Sequence, residues 1–267
     1  AIAVGVKHGN ACGVGVAVNP MHAIRQMIAG DPDALFGGVV ITNFCITKII
    51  AADLVHSRQA DGVNRVLDGV VGPNFSDEAI EILARKTGKC RILTNPALQH
   101  LNENSLGQGP RLKSVRGGYL VQPNYTFVLD MKAEDMILAS GSLLTDEQAQ
   151  GLVLAWAIGS MSTSNTITIV KDRSLLGNGV GQQHRAAAAQ LAVKRALDSG
   201  HNIEGAVAYS DSFFPFRDGL DFLANAGITA ILASSGSVRD KEIAAAAAEH
   251  GITLLWVPDE VGRGFCH

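Results

Sequence analysis

Short apolar runs alternate with longer stretches of helical periodicity along most of the chain, which is the pattern of α/β proteins. Runs rich in Val, Ile and Leu and bounded by Gly, Pro, Asn or Asp predict strands. The predicted strands are residues 1–6, 38–42, 70–71, 90–93, 166–170, 205–209, 229–233 and 252–256. Edge strands are predicted at 119–122 and 126–129, on either side of Pro123, and residues 99–117 are predicted to be a loop.

Helices are predicted between these strands from the apolar periodicity and the capping residues. Asn19 followed by Pro20 is a favourable helix start, and Ser76 and Thr145 are favourable N-caps. One predicted helix begins at residues 19–20, and another lies near 48–56. The remaining predicted helices cover 77–85, 146–161, 183–198, 216–226 and 239–249. Both halves repeat one strand–helix rhythm. We therefore predict two related α/β subdomains, 1–130 and 145–267, joined by a connection at 131–144.

Composition narrows the class of protein. The 267 residues are 47% hydrophobic and 18% charged, as in soluble globular proteins, and the net charge of −3 argues against a nucleic-acid partner. No apolar run approaches the roughly 18–20 residues of a membrane helix, and no signal peptide is visible. The four cysteines lie far apart without CxxC spacing, which argues against zinc and against disulfides. We expect a cytoplasmic protein with reduced thiols and no membrane partner.

The stretch 164–185 carries the most informative polar residues. Asn165 precedes an apolar strand, and glycines at 177, 179 and 181 predict a turn before Gln182, Gln183, His184 and Arg185 at a helix start. Glycines allow backbone amides to approach a ligand closely, and a helix N-terminus favours anions. The alternative is an ordinary β-turn-α connection with solvated polar residues.

Lys7 and His8 end the first predicted strand, just before the glycine-containing GNACG. Histidine is the side chain best suited to proton transfer near neutral pH, and an adjacent cation favours its neutral form. The alternative interpretation is a surface lysine beside a structural histidine.

Residues 211–218, DSFFPFRD, follow another predicted strand, where α/β sheets commonly bind ligands. Three Phe around a Pro between acidic residues are unusual for an exposed loop. They predict a wall for a flat heteroaromatic ligand, with carboxylates binding its N–H groups. The alternative is a hydrophobic staple under the next helix.

Other segments give weaker signals of function. Ser234–Ser237 lies between a strand and a helix, a geometry suited to anions or amides, while Arg263 and His267 lie in a terminal tail of the kind that usually frays. GNGVG does not match the GxGxxG dinucleotide pattern, and the HxE and PCxxC signature of zinc deaminases is absent.

Several of these segments together resemble the transformylase domain of the AICAR transformylase/IMP cyclohydrolase family. The matching segments are VKHGNACG, FGGVV, LDGVVGP, GGYLVQ, SNTITIV with GVGQQHR, SDSFFPFRDGLD, SSGSVRDKE and GRGFCH. They follow the family's order over nearly the whole chain. The resemblance implies two tandem cytidine-deaminase-like α/β subdomains without zinc. It also implies formyl transfer from 10-formyltetrahydrofolate to the 5-amino group of AICAR, by a homodimer with active sites at the interface.

The resemblance also implies roles for individual residues. Lys7 and His8 match the family's catalytic pair, and Asn165 matches the residue that orients AICAR. The matches to the AICAR pocket are Gly37, Asp68, Arg185, Phe213, Arg263 and His267. The matches to the folate side are Phe213, Pro215, Phe216, Asp218, Ser235 and Gly236. Ser162, Ser164, Thr166 and Asp211 resemble a monovalent-cation site of some members.

The chain departs from the family pattern in two places. It has no cyclohydrolase domain and lacks the RYGxNPHQ segment that precedes the Lys-His pair in the family. The first residue is Ala1 and the chain opens inside a predicted strand, so we expect a processed or truncated piece, or a partner segment elsewhere. Two alternatives stay open: a non-catalytic or regulatory nucleotide-binding relative, inactive without RYGxNPHQ, and a zinc hydrolase on the same fold.

Overall fold

A computed structural model describes residues 1–57, 64–85 and 88–263. Its strands are β1 (Ile2–Lys7), β2 (Asn10–Val16), β3 (Gly38–Thr42), β4 (Leu67–Gly72), β5 (Arg91–Thr94), β6 (Arg111–Val115), β7 (Gly118–Gln122), β8 (Ile137–Ser140), β9 (Ile167–Lys171), β10 (Ser174–Gly179), β11 (Val207–Ser210), β12 (Ala230–Ser235) and β13 (Thr253–Pro258). Its helices are α1 (Pro20–Gly30), α2 (Lys48–His56), α3 (Asp77–Ala84), α4 (Asp146–Gly159), α5 (Arg185–Asp198), α6 (Asp218–Asn225), α7 (Asp240–Glu249) and α8 (Asp259–Gly262). Short 3₁₀ turns cover Pro96–Gln99 and Glu103–Ser105.

Eleven strands form one mixed sheet in the order β5-β4-β3-β1-β2-β10-β9-β11-β12-β13-β8. The same pairing order occurs twice in it. β1 pairs antiparallel with β2 and β3, and β4 and β5 then add in parallel. β9 likewise pairs antiparallel with β10 and β11, and β12 and β13 follow in parallel. The two sets meet where β2 and β10 pair antiparallel.

Glycines in β2 and β10 let a helix lie very close to the centre of the sheet. A Cβ atom built on Gly13 would lie 1.9 Å from the carbonyl oxygen of Met27 in α1. A Cβ on Gly177 would lie 2.1 Å from the carbonyl oxygen of Ala192 in α5. The next glycine two residues along makes the same close approach in each strand, at Gly15 and Gly179. Any side chain at these positions would force the helix away from the sheet.

Among the described residues, three buried apolar clusters hold the elements together. One contains Ile24 and Val40 with α2 and α3, and a second contains Ile169 and Phe214 with α5, α6 and α7. The third includes Val14, Leu152 and Leu175 and therefore joins the strands of the two sets.

The predicted bounds of β3 and α2 are confirmed, and so are three predicted caps. Asn19, Ser76 and Thr145 each accept a hydrogen bond from a backbone amide in the first turn of their helix. Within the part of the chain that the structure describes, no helix combines the length and apolarity needed to cross a lipid bilayer.

Other elements differ from the prediction. The predicted turn with glycines at 177 and 179 is strand β10, and the glycine-containing stretch after His8 is strand β2. Part of the predicted loop 99–117 is strand β6, which pairs with β7 in a separate two-stranded ribbon. Residues 126–129 are not a strand. The predicted connection 131–144 contributes β8, which pairs with β13, and the subdomain bounds at 130 and 145 stay a prediction.

Candidate active site

The predicted site residues that the structure describes lie at one end of the strands of the large sheet. Val6 in β1 pairs with Val39 in β3, so the end of β1 lies beside the starts of β3 and β4. Ile167 pairs with both Gly179 and Ser210, so the start of β9 lies beside the ends of β10 and β11. The ends of β12 and β13 follow in parallel. We call this end of the strands the site end.

A cavity of about 600 Å³ opens at the site end beside β9 and β11. Four segments build it: 164–165, 183–186, 212–218 and Arg263. It brings together seven of the residues predicted from the sequence, namely Asn165, Arg185, Phe213, Pro215, Phe216, Asp218 and Arg263. Its other lining residues are Ser164, Gln183, His184, Ala186 and Ser212.

A buried ion pair supports one wall of the cavity. Arg185 and Asp211 are paired with only 5% and 0% of their side chains exposed. The Asp211 Oδ1 atom also accepts from the Thr166 amide at 2.9 Å, and Arg185 Nη1 donates to the Thr166 carbonyl at 3.2 Å. Asp211 Oδ2 and Arg185 Nε have no hydrogen-bond partner among the described residues. The hydrogen bonds of Arg185 to Asp211 and to the Thr166 carbonyl both use Nη1.

Asn165 is fixed by the segment that precedes α5. Its side-chain amide nitrogen, Nδ2, donates to the Gln182 carbonyl at 2.8 Å. The backbones of Asn165 and Gln182 also exchange two hydrogen bonds, of 3.0 and 3.2 Å. The Ser164–Asn165 peptide bond is cis. His184 is the N-cap of α5, and its Nδ1 atom accepts from the Ala187 amide at 3.3 Å. The cavity therefore contains the N-terminus of a fourteen-residue helix.

The aromatic loop, residues 212–218, divides its aromatic side chains between the core and the cavity. Phe214 is 2% exposed and belongs to the core beneath α6, which is the predicted staple. Phe213 and Pro215 are half-buried and line the cavity. Phe216 also lines the cavity and is 53% exposed, and the Arg239 guanidinium lies 4.8 Å from the centroid of its ring.

Ser235 and Gly236 are not lining residues of this cavity. The backbone amides of Gly236 and Ser237 bind the carboxylate of Asp240, at 2.8 and 3.1 Å. The anion-binding geometry predicted for Ser234–Ser237 is therefore already satisfied by a side chain of α7.

Asp259 joins three segments of the site and was missed in the sequence. It accepts hydrogen bonds from Ser212, Ser234 and Arg263. Burial opposes ionisation of this carboxyl, but the hydrogen bonds from Arg263 and Ser234 hold its pKa below the usual value. The sequence offers one signal, the four-residue spacing between Asp259 and Arg263 after the helix-starting Pro258.

Lys7 and its neighbours form a second group at the site end. Lys7 Nζ donates to the Phe36 carbonyl at 2.6 Å. A Cβ atom on Gly37, whose φ is +74°, would lie 3.9 Å from Asp68 Oδ2. Three predicted residues, Lys7, Gly37 and Asp68, thus lie around the starts of β3 and β4.

His8 lies in the turn between β1 and β2, is exposed, and has a φ of +53°. The Asn10 side chain accepts from the Thr163 amide at 2.8 Å and so holds this turn beside the segment that carries Asn165. Neither Lys7 nor His8 is a lining residue of the cavity. The predicted residues are therefore found in two neighbouring groups, and His267 lies outside the described residues.

Among the described residues, no group of three or more His, Cys, Asp or Glu side chains is placed to hold a metal ion.

Residues 1–195 match the sequence profile of the AICARFT/IMPCHase bienzyme family. The chain belongs to this family. The match covers β1 through most of α5 and includes both Lys7 and Asn165.

Curated relatives of the family agree with this assignment. The bifunctional purine biosynthesis protein PurH of Listeria monocytogenes is 35% identical over 255 residues, which is 95% of this chain and 46% of that protein. PurH of Acidithiobacillus ferrooxidans is 36% identical over 252 residues, which is 94% of this chain and 45% of that protein. The chain therefore spans about half the length of these relatives.

Solved structures with local similarity include dCMP deaminase from the cyanophage S-TIM5. Its complex with dCMP and dUMP has a TM-score of 0.27 at 17% identity, covering 34% of this chain and 79% of that one. Its apo form has a TM-score of 0.29 at 16% identity, covering 42% and 98%. Similarity at this level does not establish a shared fold, so the cytidine-deaminase-like assignment stays a prediction.

Proposed function

We propose that the chain is a formyltransferase of de novo purine biosynthesis. It transfers the formyl group of 10-formyltetrahydrofolate to the 5-amino group of AICAR, giving FAICAR. Membership of the AICARFT/IMPCHase family and the similarity to PurH support a role in this pathway. The observation that carries the proposal is the cavity of about 600 Å³, which gathers seven of the residues expected to contact the two substrates.

The two substrates are assigned to different walls of the cavity. Phe213, Pro215 and Phe216 present aromatic and proline surfaces suited to the flat ring of a folate. Asp218, whose Oδ1 accepts from the Gly219 amide at 2.8 Å, supplies a carboxylate for ring N–H groups. Arg263 and the N-terminus of α5 favour the phosphate or carboxamide oxygens of AICAR.

The amine of AICAR is conjugated with its ring and carboxamide, so it is a poor nucleophile. In the proposed reaction His8 accepts its proton while the amine attacks the formyl carbon, and N10 of the folate leaves and gains a proton. Lys7, held by the Phe36 carbonyl, is proposed to orient His8 or the formyl oxyanion. Positioning of two substrates can contribute about 7–11 kcal/mol, and a general base about 10²–10⁴-fold.

Asn165 is proposed to stabilise the charge that develops on the formyl oxygen. A side-chain amide has two N–H donors, and the hydrogen bond to the Gln182 carbonyl uses one of them. The second is available to the reacting group. Because this amide is already oriented, it loses little freedom when the charge develops.

We propose that the active form is a homodimer with composite sites at its interface. The ribbon of β6 and β7 presents Leu112, Leu120 and Val121 at 65%, 57% and 63% exposure. Leu112 and Val121 are cross-strand partners on one face of the ribbon and Leu120 lies on the other, and we propose that these exposed apolar side chains are covered by a second copy of the chain. A second copy of the chain would also complete a site to which the group around Lys7 and the cavity each contribute residues.

The proposed bound species include a monovalent cation but no zinc. Of the four residues expected to bind the cation, Asp211 has a fully buried Oδ2 atom without a partner among the described residues, which fits an oxygen-preferring cation. Ser162 and Thr166 donate their hydroxyl protons to the Ile158 and Thr163 carbonyls. Ser162 Oγ also accepts from Asn178 Nδ2 at 3.1 Å, so the Thr166 oxygen is the better placed of the two to accept a cation. Metal analysis finding stoichiometric zinc would favour a hydrolase instead. We further propose a cytoplasmic location.

The proposal is tested by single-turnover formyl transfer with AICAR and 10-formyltetrahydrofolate, followed by chromatography of FAICAR. His8→Ala should lower the rate by about 10²–10⁴-fold, as expected for loss of a general base. His22→Ala is the matched control, because His22 lies at the start of α1, away from the site end. A His8→Ala rate close to that of the wild type would exclude the assigned base.

A second candidate is a non-catalytic nucleotide-binding relative. The observation that favours it is that neither Lys7 nor His8 lines the cavity that gathers the other matched residues. Calorimetric binding of AICAR and folate without any product, at enzyme concentrations that would reveal one turnover, would favour this candidate.

A further inference from the structure

We propose that Asp259 is a positioning residue, which holds Arg263 in the orientation that lines the cavity. The identity of the ligand that Arg263 binds rests on the proposed function, but the positioning itself does not. We refer to Asp259 with Ser212, Ser234 and Arg263 as the Asp259 cluster.

Each oxygen of the Asp259 carboxylate accepts hydrogen bonds from two donor atoms. Oδ2 accepts from Arg263 Nε at 2.8 Å and from Arg263 Nη2. Oδ1 accepts from Ser212 Oγ at 3.1 Å and from Ser234 Oγ. The side chain of Asp259 is only 15% exposed, so this set of bonds leaves it little freedom.

The donors come from three separate segments of the site end. Ser234 lies near the end of β12, Ser212 starts the aromatic loop, and Arg263 follows α8. A carboxylate fixed by two serines on one side can orient a guanidinium on the other. The bonds to Asp259 use Nε and Nη2 of Arg263, and Nη1 takes no part in them. Nη1 can therefore donate to a ligand in the cavity.

The charge of the carboxylate matters as much as its geometry. The low pKa of Asp259, set by the bonds from Arg263 and Ser234 against the effect of burial, keeps it ionised at neutral pH. Bonds between charged partners are roughly twice as strong as neutral ones. Asp259→Asn removes the charge, yet its amide oxygen can still accept from the two serines. This substitution therefore separates the positioning of Arg263 from the support of the aromatic loop.

The first experiment does not depend on the proposed function. Trypsin must take the Arg263 side chain into its own pocket to cleave after it, so the bonds to Asp259 should slow that cleavage. Asp259→Asn should accelerate it about tenfold or more, the effect of losing one charge-assisted hydrogen bond. Cleavage after Arg173, in the exposed turn between β9 and β10, is the internal reference. Glu260→Gln, an exposed neighbour in α8, is the matched control and should change neither rate.

The second experiment is a double-mutant cycle in AICAR affinity, measured by calorimetry. Asp259→Asn and Arg263→Ala should each raise the Kd about tenfold, and the double variant should be no weaker than Arg263→Ala alone. Additive losses, or an unchanged trypsin rate in Asp259→Asn, would overturn the positioning role. If the wild type binds no AICAR while the trypsin contrast holds, the proposed function fails and the positioning role stands.

Discussion

The buried pair of Arg185 and Asp211 makes the sharpest prediction about stability. Arg185→Met keeps most of the side-chain length but leaves the Asp211 carboxylate fully buried, with the Thr166 amide as its remaining donor. Removing one partner of a buried pair costs about 3–5 kcal/mol, because the other charge is left uncompensated. A typical folded domain has a free energy of unfolding of about 5–15 kcal/mol, so this single change removes a large share of it.

Removing both charges should cost much less. In the double variant Arg185→Met with Asp211→Asn, the asparagine oxygen can still accept from Thr166 and no charge is buried. We expect the double variant to recover at least about 2 kcal/mol relative to Arg185→Met, since replacement of a whole buried pair is often nearly neutral.

The assay is equilibrium unfolding in urea, followed by circular dichroism and by the fluorescence of Trp156 and Trp256. Coincident transitions are needed before a free energy is extracted. With a slope of about 3 kcal/mol/M, Arg185→Met should lower the midpoint by about 1–2 M. If the double variant loses as much stability as the two single variants combined, then the charges do not compensate each other and the reasoning is wrong.

Three other outcomes are expected. Gly13→Ala should destabilise by about 1–3 kcal/mol, because its Cβ would lie 1.9 Å from the Met27 carbonyl oxygen, whereas Gly118→Ala, with open space around it, should leave the urea midpoint almost unchanged. The folded pKa of Asp259 lies below its unfolded value, so its ionisation stabilises the folded protein above the unfolded pKa, and this stabilisation is lost as pH falls. The melting temperature of Asp259→Asn should therefore drop less than that of the wild type between about pH 5 and about pH 3. Parallel curves of melting temperature against pH would contradict this. Phe216→Ala should raise the Kd for folate more than that for AICAR, and Arg263→Ala the reverse; equal effects on both ligands in calorimetry would refute the division of the cavity.

Elements with a strong local signal could be predicted from the sequence. β3 is a continuous apolar run between glycine and asparagine, and α4 has a complete capping box formed by Thr145 and Gln148. β2 and β10 could not be predicted in this way, because their alternate positions are glycines that accommodate a helix instead of apolar side chains. The ribbon of β6 and β7 is exposed along almost its whole length, so burial left no periodic pattern in it.

The candidate site shows the same limit. Short motifs such as Phe213 to Asp218 could be recognised because their residues are adjacent in sequence. The partners of Asp259 at Ser234 and Ser212 lie 25 and 47 residues away, and only the sheet brings them together. Likewise, the sequence does not show that Arg185 is bound to Asp211, 26 residues further on.

The repeated pairing order of the sheet has a consequence for how many ligands one chain can hold. The carboxyl end of β11 borders the cavity, but those of β3 and β4 lie at the opposite end of the sheet and are filled. There a Cβ atom on Gly72 would come within 3.4 Å of Ile46, Thr42 and Phe75, all of them buried. The two equivalent places therefore do not form a pair of binding sites. A calorimetric titration of AICAR should saturate at one molecule per chain, with a single enthalpy and no second phase.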